Sequence, residues 1–300
     1  MAVPRVVAVV GPTATGKSDL GVALAQRLDG EVVNADSMQL YSGMDVGTAK
    51  LTLDERQGVP HHLLDVWDLR HTATAAEYQR LSRTVIDELL ARGVTPVLVG
   101  GSGLYLRAAL DVMDFPGTDP QLRAELEAEL ARDGAEQLHA RLAALDAAAA
   151  TRMQPTNGRR IVRALEVVLL TGEMPGAMTS YDAHYDTTYL GLDAPDLTIR
   201  TDARVDRMWQ NGLVEEVRAL DRQGLREGVT ASRALGYAQV LALLDGRMDE
   251  PTAVQATKTA TRRFVRRQRA WFRRDPRIRW LDPAGDLLAQ SSSQPARSPD

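Results

Sequence analysis

The distribution of apolar and polar residues divides the chain near residue 113. Before that point, short apolar runs alternate with segments in which apolar residues recur every three or four positions. The runs predict strands at 6–10, 31–35, 62–66 and 96–99, and the periodic segments predict helices at 17–28, 75–92 and 104–110. This alternation is typical of a parallel sheet flanked by helices, whose ligands bind at the carboxyl ends of the strands.

After the turn-rich segment 114–120, the pattern becomes almost wholly helical. Residues 120–171 contain no strand-like run and include alanine-rich stretches, so they predict an inserted helical subdomain. The segment 199–274 is again helical, and the Ser- and Pro-containing tail is expected to be disordered. The predicted organisation is an α/β core with C-terminal helices at 1–113 and 188–282, the inserted subdomain at 114–187 and a disordered tail at 283–300.

The composition narrows the class of protein. With 300 residues and 44% hydrophobic content, the chain can bury a sizeable core, which excludes a wholly disordered protein. The absence of cysteine excludes disulfides, thiolate metal sites and a cysteine nucleophile. No apolar run approaches the ~20 residues that span a bilayer, and no charged leader with a cleavage site is visible. We therefore expect a soluble, cytoplasmic protein, and nothing in the sequence demands more than a monomer.

The charge is unevenly distributed. The net charge of −4 argues against a nucleic-acid partner, but residues 258–279 contain ten basic residues and one acidic residue, Asp275. A solvated helix face is the ordinary interpretation of such a segment. However, a surface that only keeps a protein soluble usually mixes positive and negative charges, whereas this segment is almost entirely positive. The sharper hypothesis is a polyanionic partner.

A complete phosphate-binding loop follows the first predicted strand. In such loops the glycines let the backbone approach an anion, while the amides at the start of the next helix point at phosphate oxygens. Lys17 adds a positive charge, and the Ser18 hydroxyl can coordinate Mg²⁺. The diphosphate-binding residues predicted from this pattern are Gly11, Pro12, Thr13, Ala14, Thr15, Gly16, Lys17 and Ser18. The loop predicts a P-loop NTPase-like fold, but it is equally suited to a kinase.

Two further strand ends carry candidate functional residues. Asp36 follows the second predicted strand, where P-loop kinases and hydrolases often place a carboxylate that holds magnesium or acts as a base. A turn cap is the alternative role for this aspartate. The fourth strand leads into Gly-Gly-Ser-Gly at 100–103, in which Ser102 offers a hydroxyl or a helix cap. The P-loop, Asp36 and Ser102 are therefore expected to meet in one pocket.

Six ordered segments resemble bacterial tRNA dimethylallyltransferases, the isopentenyl-diphosphate:tRNA transferase family. They read DSMQLY at 36–41, MDVGTAK at 44–50, GGSGLY at 100–105, RIVRALEV at 160–167, RVD at 204–206 with Met208 and Gly212-Leu213, and LGY at 235–237. The resemblance covers roughly residues 6–275. It distinguishes this chain from a kinase, which the P-loop alone does not.

The resemblance implies transfer of a dimethylallyl group from dimethylallyl diphosphate to N6 of the adenosine immediately 3′ of the anticodon, position 37 of tRNA. The product would be N6-(dimethylallyl)adenosine, with release of diphosphate. No phosphoryl group would be transferred, and the P-loop would bind the diphosphate of the prenyl donor. Asp36 corresponds to the proton acceptor, whereas Lys17, Ser18 through Mg²⁺, and Arg204 correspond to the residues that stabilise the leaving diphosphate.

The resemblance also implies contacts with the tRNA anticodon stem-loop. Gln39 has the donor and the acceptor that are needed to read an adenine edge. Ser102 stands where the family commonly has threonine, so the hydroxyl is retained and the methyl group is lost. Without the resemblance, the arginines of the inserted subdomain would be interpreted as solvated helix faces. The implied tRNA-binding residues are Asp36, Ser37, Met38, Gln39, Ser102, Arg123, Arg159, Arg160, Ile161, Val162 and Arg163.

Three alternatives stay open at this point. A P-loop small-molecule kinase or nucleotide hydrolase would use the same loop, but it would leave the Asp-Ser-Met-Gln segment, the insertion and the basic helix unexplained. A prenyltransferase that acts on free adenine nucleotide, like the cytokinin-forming enzymes, would need neither the insertion nor the basic helix. A non-catalytic RNA-binding module would not need Asp36.

Overall fold

The computed structural model describes residues 5–175 and 180–292. The chain divides into two compact units. One unit, called here the core unit, comprises Met1–Val112 and Ala183–Asp300. The other, the inserted unit, comprises Met113–Asp182. The inserted unit ends at Asp182 and not at the predicted residue 187, because the chain rejoins the core unit at Ala183.

Within the described residues, six strands of the core unit form one sheet in which all paired neighbours are parallel. The strands are β1 (Val6–Val10), β2 (Gly30–Asn34), β3 (His61–His62), β4 (Thr95–Gly100), β5 (Thr187–Gly191) and β6 (Arg279–Trp280). Their order across the sheet is β3-β2-β4-β1-β5-β6. The third strand is shorter than predicted, and β6 was not predicted from the sequence.

Helices cover both faces of the sheet because the central strand is apolar on both. Val6, Ala8 and Val10 of β1 belong to one hydrophobic cluster, and Val7 and Val9 belong to the other. The first three helices of the core unit are α1 (Lys17–Arg27), α2 (Ala75–Ala91) and α3 (Gly103–Leu110). They match the three helices predicted from the apolar periodicity in type and position.

Glycine permits the close approach of α1 to the sheet. A Cβ atom at Gly21 would lie 2.4 Å from the Val99 side chain, so any larger residue would push the helix away. On the opposite face, the rings of Tyr78 and Tyr105 stack with centroids 4.4 Å apart. The Tyr78 hydroxyl donates a hydrogen bond to the Asn34 carbonyl at 2.8 Å. These contacts hold α2 and α3 at the carboxyl end of β2.

The inserted unit is helical. Its helices are α4 (Pro120–Asp133), α5 (Ala135–Leu145), α6 (Ala147–Thr151) and α7 (Gly158–Thr171). Three of them begin at residues whose side chains accept backbone N–H groups, namely Asp119, Asp146 and Asn157. The unit has its own hydrophobic cluster, which includes Leu138, Leu142, Ile161 and Leu165.

The remaining helices return to the core unit. They are α8 (Leu197–Gln210), α9 (Leu213–Arg222), α10 (Tyr237–Leu244), α11 (Glu250–Phe272) and α12 (Leu287–Ser292), with short 3₁₀ turns at Leu225–Glu227 and Ala231–Arg233. Helix α12 lies in the tail predicted to be disordered, and Leu287 and Leu288 pack on the hydrophobic cluster beneath α1. Residues 293–300 lie outside the described part of the chain. Among the described residues, none of the helices combines the length and the apolar character that crossing a membrane requires.

Candidate active site at the carboxyl ends of the strands

The phosphate-binding loop links β1 to α1. Gly11 has φ 139°, and a Cβ atom there would lie 2.1 Å from the Leu192 carbonyl oxygen. Gly16, with φ 85°, is the N-cap residue of α1, and no side chain in the described part of the chain caps that terminus. The first amides of α1 are therefore available for an anion.

The charge of Lys17 depends on its surroundings near neutral pH. Its Nζ donates a hydrogen bond to the Pro12 carbonyl at 2.5 Å. Burial and the neighbouring Arg204 lower the pKa of Lys17 to about 7, against a smaller raising effect of Asp36. A diphosphate beside Lys17 would favour the charged ammonium, because opposite charges at short range stabilise the ionised form. Anion binding at this lysine is therefore linked to proton uptake near neutral pH.

The segments that follow β2 and β4 lie against each other, and a Cβ atom at Gly101 would lie 3.3 Å from the Gly11 carbonyl oxygen at the end of β1. The Ala35 amide donates to the Val99 carbonyl at 2.8 Å, and the Ser102 amide donates to the Ala35 carbonyl at 3.3 Å. A Cβ atom at Gly100 would lie 2.1 Å from the Ala35 oxygen, so this approach requires glycine. The three strand ends thus form one site, as the parallel topology predicts.

Asp36 lines a cavity of about 60 Å³ together with Lys17 and Arg204. Its Oδ1 accepts the Met38 amide at 2.9 Å, so the turn-cap role considered from the sequence is also present. The second carboxylate oxygen of Asp36 is not used by that bond. The carboxylate can therefore hold its own backbone in place and still accept a proton from a bound substrate.

Ser102 holds the segment after Asp36 instead of capping a helix. Its Oγ accepts the Ser37 amide at 3.1 Å and donates to the Ser37 hydroxyl at 3.2 Å. Although Ser102 is the N-cap residue of α3, its side chain makes no capping bond. Met38 is half-buried and packs on the core cluster. These contacts support the placement of Gln39 at the cavity.

Gln39 and Arg204 meet at one carbonyl. Arg204 Nη2 donates to the Thr48 oxygen at 3.0 Å, and Gln39 Nε2 donates to the same oxygen at 3.2 Å. Both side chains line the cavity. Lys17, Ser18 and Arg204 also line a larger groove of about 850 Å³, to which the P-loop and α8 contribute further residues.

The structure does not place every predicted tRNA-binding residue on a surface. Ile161 and Val162, which the resemblance implied as tRNA-binding residues, have side chains that are buried in the cluster of the inserted unit. The reason is that α7 is amphipathic, and these two apolar residues lie on its packed face. Arg159 and Arg160 precede them on the exposed face.

Arg123 and Arg163 are committed to an internal ion pair. Both donate to the carboxylate of Glu166, which is fully buried, and Arg163 also donates to the carbonyls of Gly117 and Pro116. Although burial alone would raise the pKa of Glu166, the hydrogen bonds from the two arginines hold it below its ordinary value. These arginines therefore stabilise the inserted unit, a role that the sequence did not indicate.

The basic helix is also partly neutralised by its own core unit. Five of the ten basic residues pair with carboxylates: Lys258 with Asp206, Arg262 with Asp202, Arg269 and Arg273 with Asp193, and Arg277 with Asp111 and Asp275. Arg263, Arg266 and Arg274 are exposed and have no carboxylate partner among the described residues. The surface offered to a polyanion is therefore smaller than the sequence predicts.

Gln268 of α11 is a site residue that sequence reasoning missed. Its Oε1 accepts the Thr13 amide of the P-loop at 3.0 Å, and its Nε2 donates to the Gly101 carbonyl at 3.0 Å. A Cβ atom at Gly101 would lie 2.3 Å from this Nε2. One feature of the sequence could have indicated it. Gln268 lies at helical spacing from the apolar residues Val265 and Phe272, and therefore on the buried face of α11, among arginines of the exposed face.

His61 also lines the cavity. Its Nδ1 lies 2.9 Å from the Val59 carbonyl, and burial lowers the pKa of the imidazole, which favours the neutral ring. The sequence offered no motif that marked this histidine. Its position follows from the parallel pairing of β3 with β2.

The donor set fits a magnesium ion that is held mainly by phosphate oxygens. Mg²⁺ prefers oxygen ligands and commonly binds through one or two protein groups plus a substrate phosphate. The Ser18 hydroxyl and the Asp36 carboxylate line the same cavity, and both are oxygen donors. In the described ranges, no group of three or more carboxylate, histidine or cysteine side chains could hold a metal by itself.

Comparison with known proteins identifies the family. The sequence model of the family described as IPP transferase matches residues 39–275. The tRNA dimethylallyltransferase of Streptomyces avermitilis is 63% identical over 290 residues, covering 96% of this chain and 93% of the relative. That of Streptomyces coelicolor is 64% identical over 281 residues, covering 93% of this chain and 90% of the relative.

Solved structures support the same assignment. A tRNA isopentenylpyrophosphate transferase from Bacillus halodurans is 38% identical with a TM-score of 0.71, covering 96% of this chain and 93% of the other. A eukaryotic dimethylallyltransferase acting on tRNA is 27% identical with a TM-score of 0.79, covering 93% and 74%. The predicted P-loop NTPase-like α/β fold and the resemblance are confirmed, and the chain belongs to the tRNA dimethylallyltransferase family of prenyltransferases.

Proposed function

We propose that the protein transfers the dimethylallyl group of dimethylallyl diphosphate to N6 of adenosine 37, immediately 3′ of the anticodon of tRNA. The products are N6-(dimethylallyl)adenosine and diphosphate. One observation carries the proposal: Lys17, Arg204 and Asp36 line one cavity at the carboxyl ends of the strands. The two cations suit a leaving diphosphate, and the carboxylate suits the proton of an attacking amine.

The reaction requires alignment and one proton acceptor. The N6 nitrogen forms a bond to the allylic carbon, the carbon–oxygen bond breaks, and its electron pair leaves with the diphosphate. The proton lost from N6 passes to the carboxylate of Asp36. Because an aromatic amine is a poor nucleophile, holding it in line with the allylic carbon supplies much of the acceleration.

Lys17, Arg204 and the amides of α1 stabilise the leaving diphosphate. Arg204 is held by the Thr48 carbonyl, and Lys17 takes up a proton from solvent when the diphosphate binds, so that it is charged before the leaving group departs. Magnesium is the proposed cofactor, with Ser18 and the diphosphate oxygens as its ligands. When bound, it adds positive charge at the leaving group.

The tRNA contacts are proposed for the exposed part of the predicted set. Gln39 lies at the cavity and carries the donor and acceptor that an adenine edge requires. Arg159 and Arg160 of α7 are exposed on the inserted unit and suit tRNA phosphates. Arg263 and Arg266 of the basic helix α11 are likewise exposed on the core unit. The target adenine must leave its stack, which costs less in a loop than in a duplex. We place the reaction in the cytoplasm, where tRNA is available.

The deciding experiment is mass analysis of nucleosides from tRNA that has been incubated with the protein and dimethylallyl diphosphate. N6-(dimethylallyl)adenosine in the digest is the expected result. Label that passes from γ-labelled ATP to a small molecule would instead support a kinase. Modified AMP without modified tRNA would support an enzyme of free nucleotides, and tRNA binding without any product would support a non-catalytic module.

A further inference from the structure

The carboxylate of Glu216 in α9 accepts hydrogen bonds from four donors. Its Oε2 accepts the Asp45 amide at 3.1 Å and the Val46 amide at 2.6 Å. Its Oε1 accepts the Gly47 amide at 3.1 Å and the Tyr237 hydroxyl at 2.6 Å. Successive backbone amides that converge on one point form an anion-binding concavity. Here the anion is a side chain of the protein itself.

The residue that follows these three amides reaches the proposed active site. The Thr48 carbonyl accepts Arg204 Nη2 at 3.0 Å and Gln39 Nε2 at 3.2 Å. Thus the segment 45–48 is held on one side by Glu216 and presents one carbonyl to two cavity-lining side chains on the other. A shift of this segment would move both of those side chains.

The surroundings restrict the segment to this position. Tyr237 is fully buried, and a Cβ atom at Gly47 would lie 2.4 Å from its ring. Burial and the Glu216 carboxylate raise the pKa of Tyr237, so its hydroxyl keeps the proton that it donates. Lys50, two residues after the segment, pairs with Asp45 at 2.6 Å. The segment therefore has one well-defined arrangement.

We propose that Glu216 is a positioning residue, which holds the segment 45–48 so that the Thr48 carbonyl orients Arg204 and Gln39 together. This inference rests on the proposed function for the roles of Arg204 and Gln39. It accounts for two of the motifs in the sequence, MDVGTAK at 44–50 and LGY at 235–237, which have no direct part in the chemistry. Through the Thr48 carbonyl, Glu216 thus links Arg204, which binds the diphosphate in the proposed function, to Gln39, which contacts the adenine there.

Binding of inorganic pyrophosphate, followed by calorimetry, tests the inference. Glu216→Gln should weaken binding about 10-fold, because its amide cannot satisfy three N–H groups and a hydroxyl, and a misplaced clamp loses affinity. Glu215→Gln is the matched control, since Glu215 is exposed and lies in the same turn of α9. Within the described residues, its one ion pair is with Arg218, at 3.8 Å. The control should bind within about 2-fold of the unaltered protein.

A second measurement separates positioning from general damage to the fold. In a chain that already carries Arg204→Ala, adding Glu216→Gln should change pyrophosphate binding by less than about 2-fold, because the two substitutions act on the same contact. An equal loss in both backgrounds would overturn the inference, as would a folded Glu216→Gln variant that binds like the control. Should Glu216→Gln fail to fold, Tyr237→Phe decides, since it removes one donor, keeps the ring and should weaken binding about 3-fold.

The binding assay does not depend on catalysis. If the unaltered protein transferred no dimethylallyl group, the proposed function would be wrong whatever Glu216 does. If it did so and Glu216→Gln bound pyrophosphate normally, only the positioning role would be lost.

Discussion

The strand-end cavity and the basic helix α11 use charge in opposite ways. The cavity contains few charges. Burial lowers the pKa of both Lys17 and Arg204, and the charge of the nearby Asp36 opposes that lowering. Helix α11 and the residues after it carry ten basic residues, of which five are neutralised by carboxylates of the core unit. The exposed remainder is screened by solvent and salt.

This difference shows that burial, and not the number of charges, decides where chemistry can occur. In the low-dielectric cavity, desolvation by burial and the neighbouring charge of Arg204 bring the pKa of Lys17 to about 7. On α11, the exposed arginines can add affinity for a polyanion but little else. Substitutions in the cavity should therefore have larger effects than substitutions on the helix.

The largest expected effect comes from Asp36. Asp36→Asn keeps a side-chain oxygen for the Met38 amide but cannot take the proton from N6, so kcat should fall at least about 100-fold. Binding of tRNA and pyrophosphate should stay within about 3-fold of the unaltered protein. Quantifying N6-(dimethylallyl)adenosine by mass analysis measures kcat. Near-normal turnover would remove Asp36 as the base, and Asp54→Asn, at an exposed position away from the cavity, is the control.

The next effect is the pH dependence of pyrophosphate binding. Because the pKa of Lys17 is lowered to about 7 and a bound anion raises it, protonation favours binding. Affinity should be greatest below that pKa and fall up to about 10-fold per pH unit above it. Lys17→Arg stays charged throughout, so its profile reports the titration of pyrophosphate alone. If affinity depended on pH in the same way in the unaltered protein and in Lys17→Arg, the pH dependence would not come from Lys17.

Gln268 lies where the two regions meet, since it belongs to α11 but bonds to the P-loop and to the Gly101 carbonyl. Gln268→Leu keeps the volume and removes both bonds, so pyrophosphate binding should weaken about 5-fold. Leaving the Thr13 amide without its partner should lower the free energy of unfolding by about 1–3 kcal/mol. Thermal unfolding and calorimetry measure the two effects. Gln255→Leu, at an exposed position of the same helix, should change neither.

The smallest effects per residue are expected on the exposed face of α11. Arg263→Gln and Arg266→Gln should each weaken tRNA binding about 3-fold and together flatten the dependence of log affinity on log salt by about 1–2 units. Pyrophosphate binding should not change. Arg262→Gln is the matched control, because that arginine already pairs with Asp202. If the control flattened the salt dependence as much as the pair does, the distinction between paired and unpaired arginines would not hold.

Local sequence patterns were enough for most of the core unit. The apolar runs located β1, β2 and β4, and the periodic segments located α1, α2 and α3, because these signals depend on neighbours along the chain. The two-residue strand β6 and helix α12 were missed, since each depends on packing against elements that are distant in sequence. Polar composition alone had suggested disorder at α12.

For the site, the motifs located the P-loop, Asp36, Gln39, Ser102 and Arg204, because each chemical role requires a particular residue type next to a strand end or within a family pattern. They could not show which arginines were already paired. Arg123 and Arg163 looked like contacts for tRNA, yet both are held by Glu166.

The sequence by itself determined the family, the fold class and the phosphate-binding loop, since these are encoded in residue order and spacing. The tertiary structure alone decided that Gln268 joins the P-loop to the Gly101 loop, that Glu216 holds the segment leading to Thr48, and which arginines of α11 are neutralised. The physical reason is that these contacts join residues far apart in the chain. Burial and pairing of that kind arise only when the chain is folded.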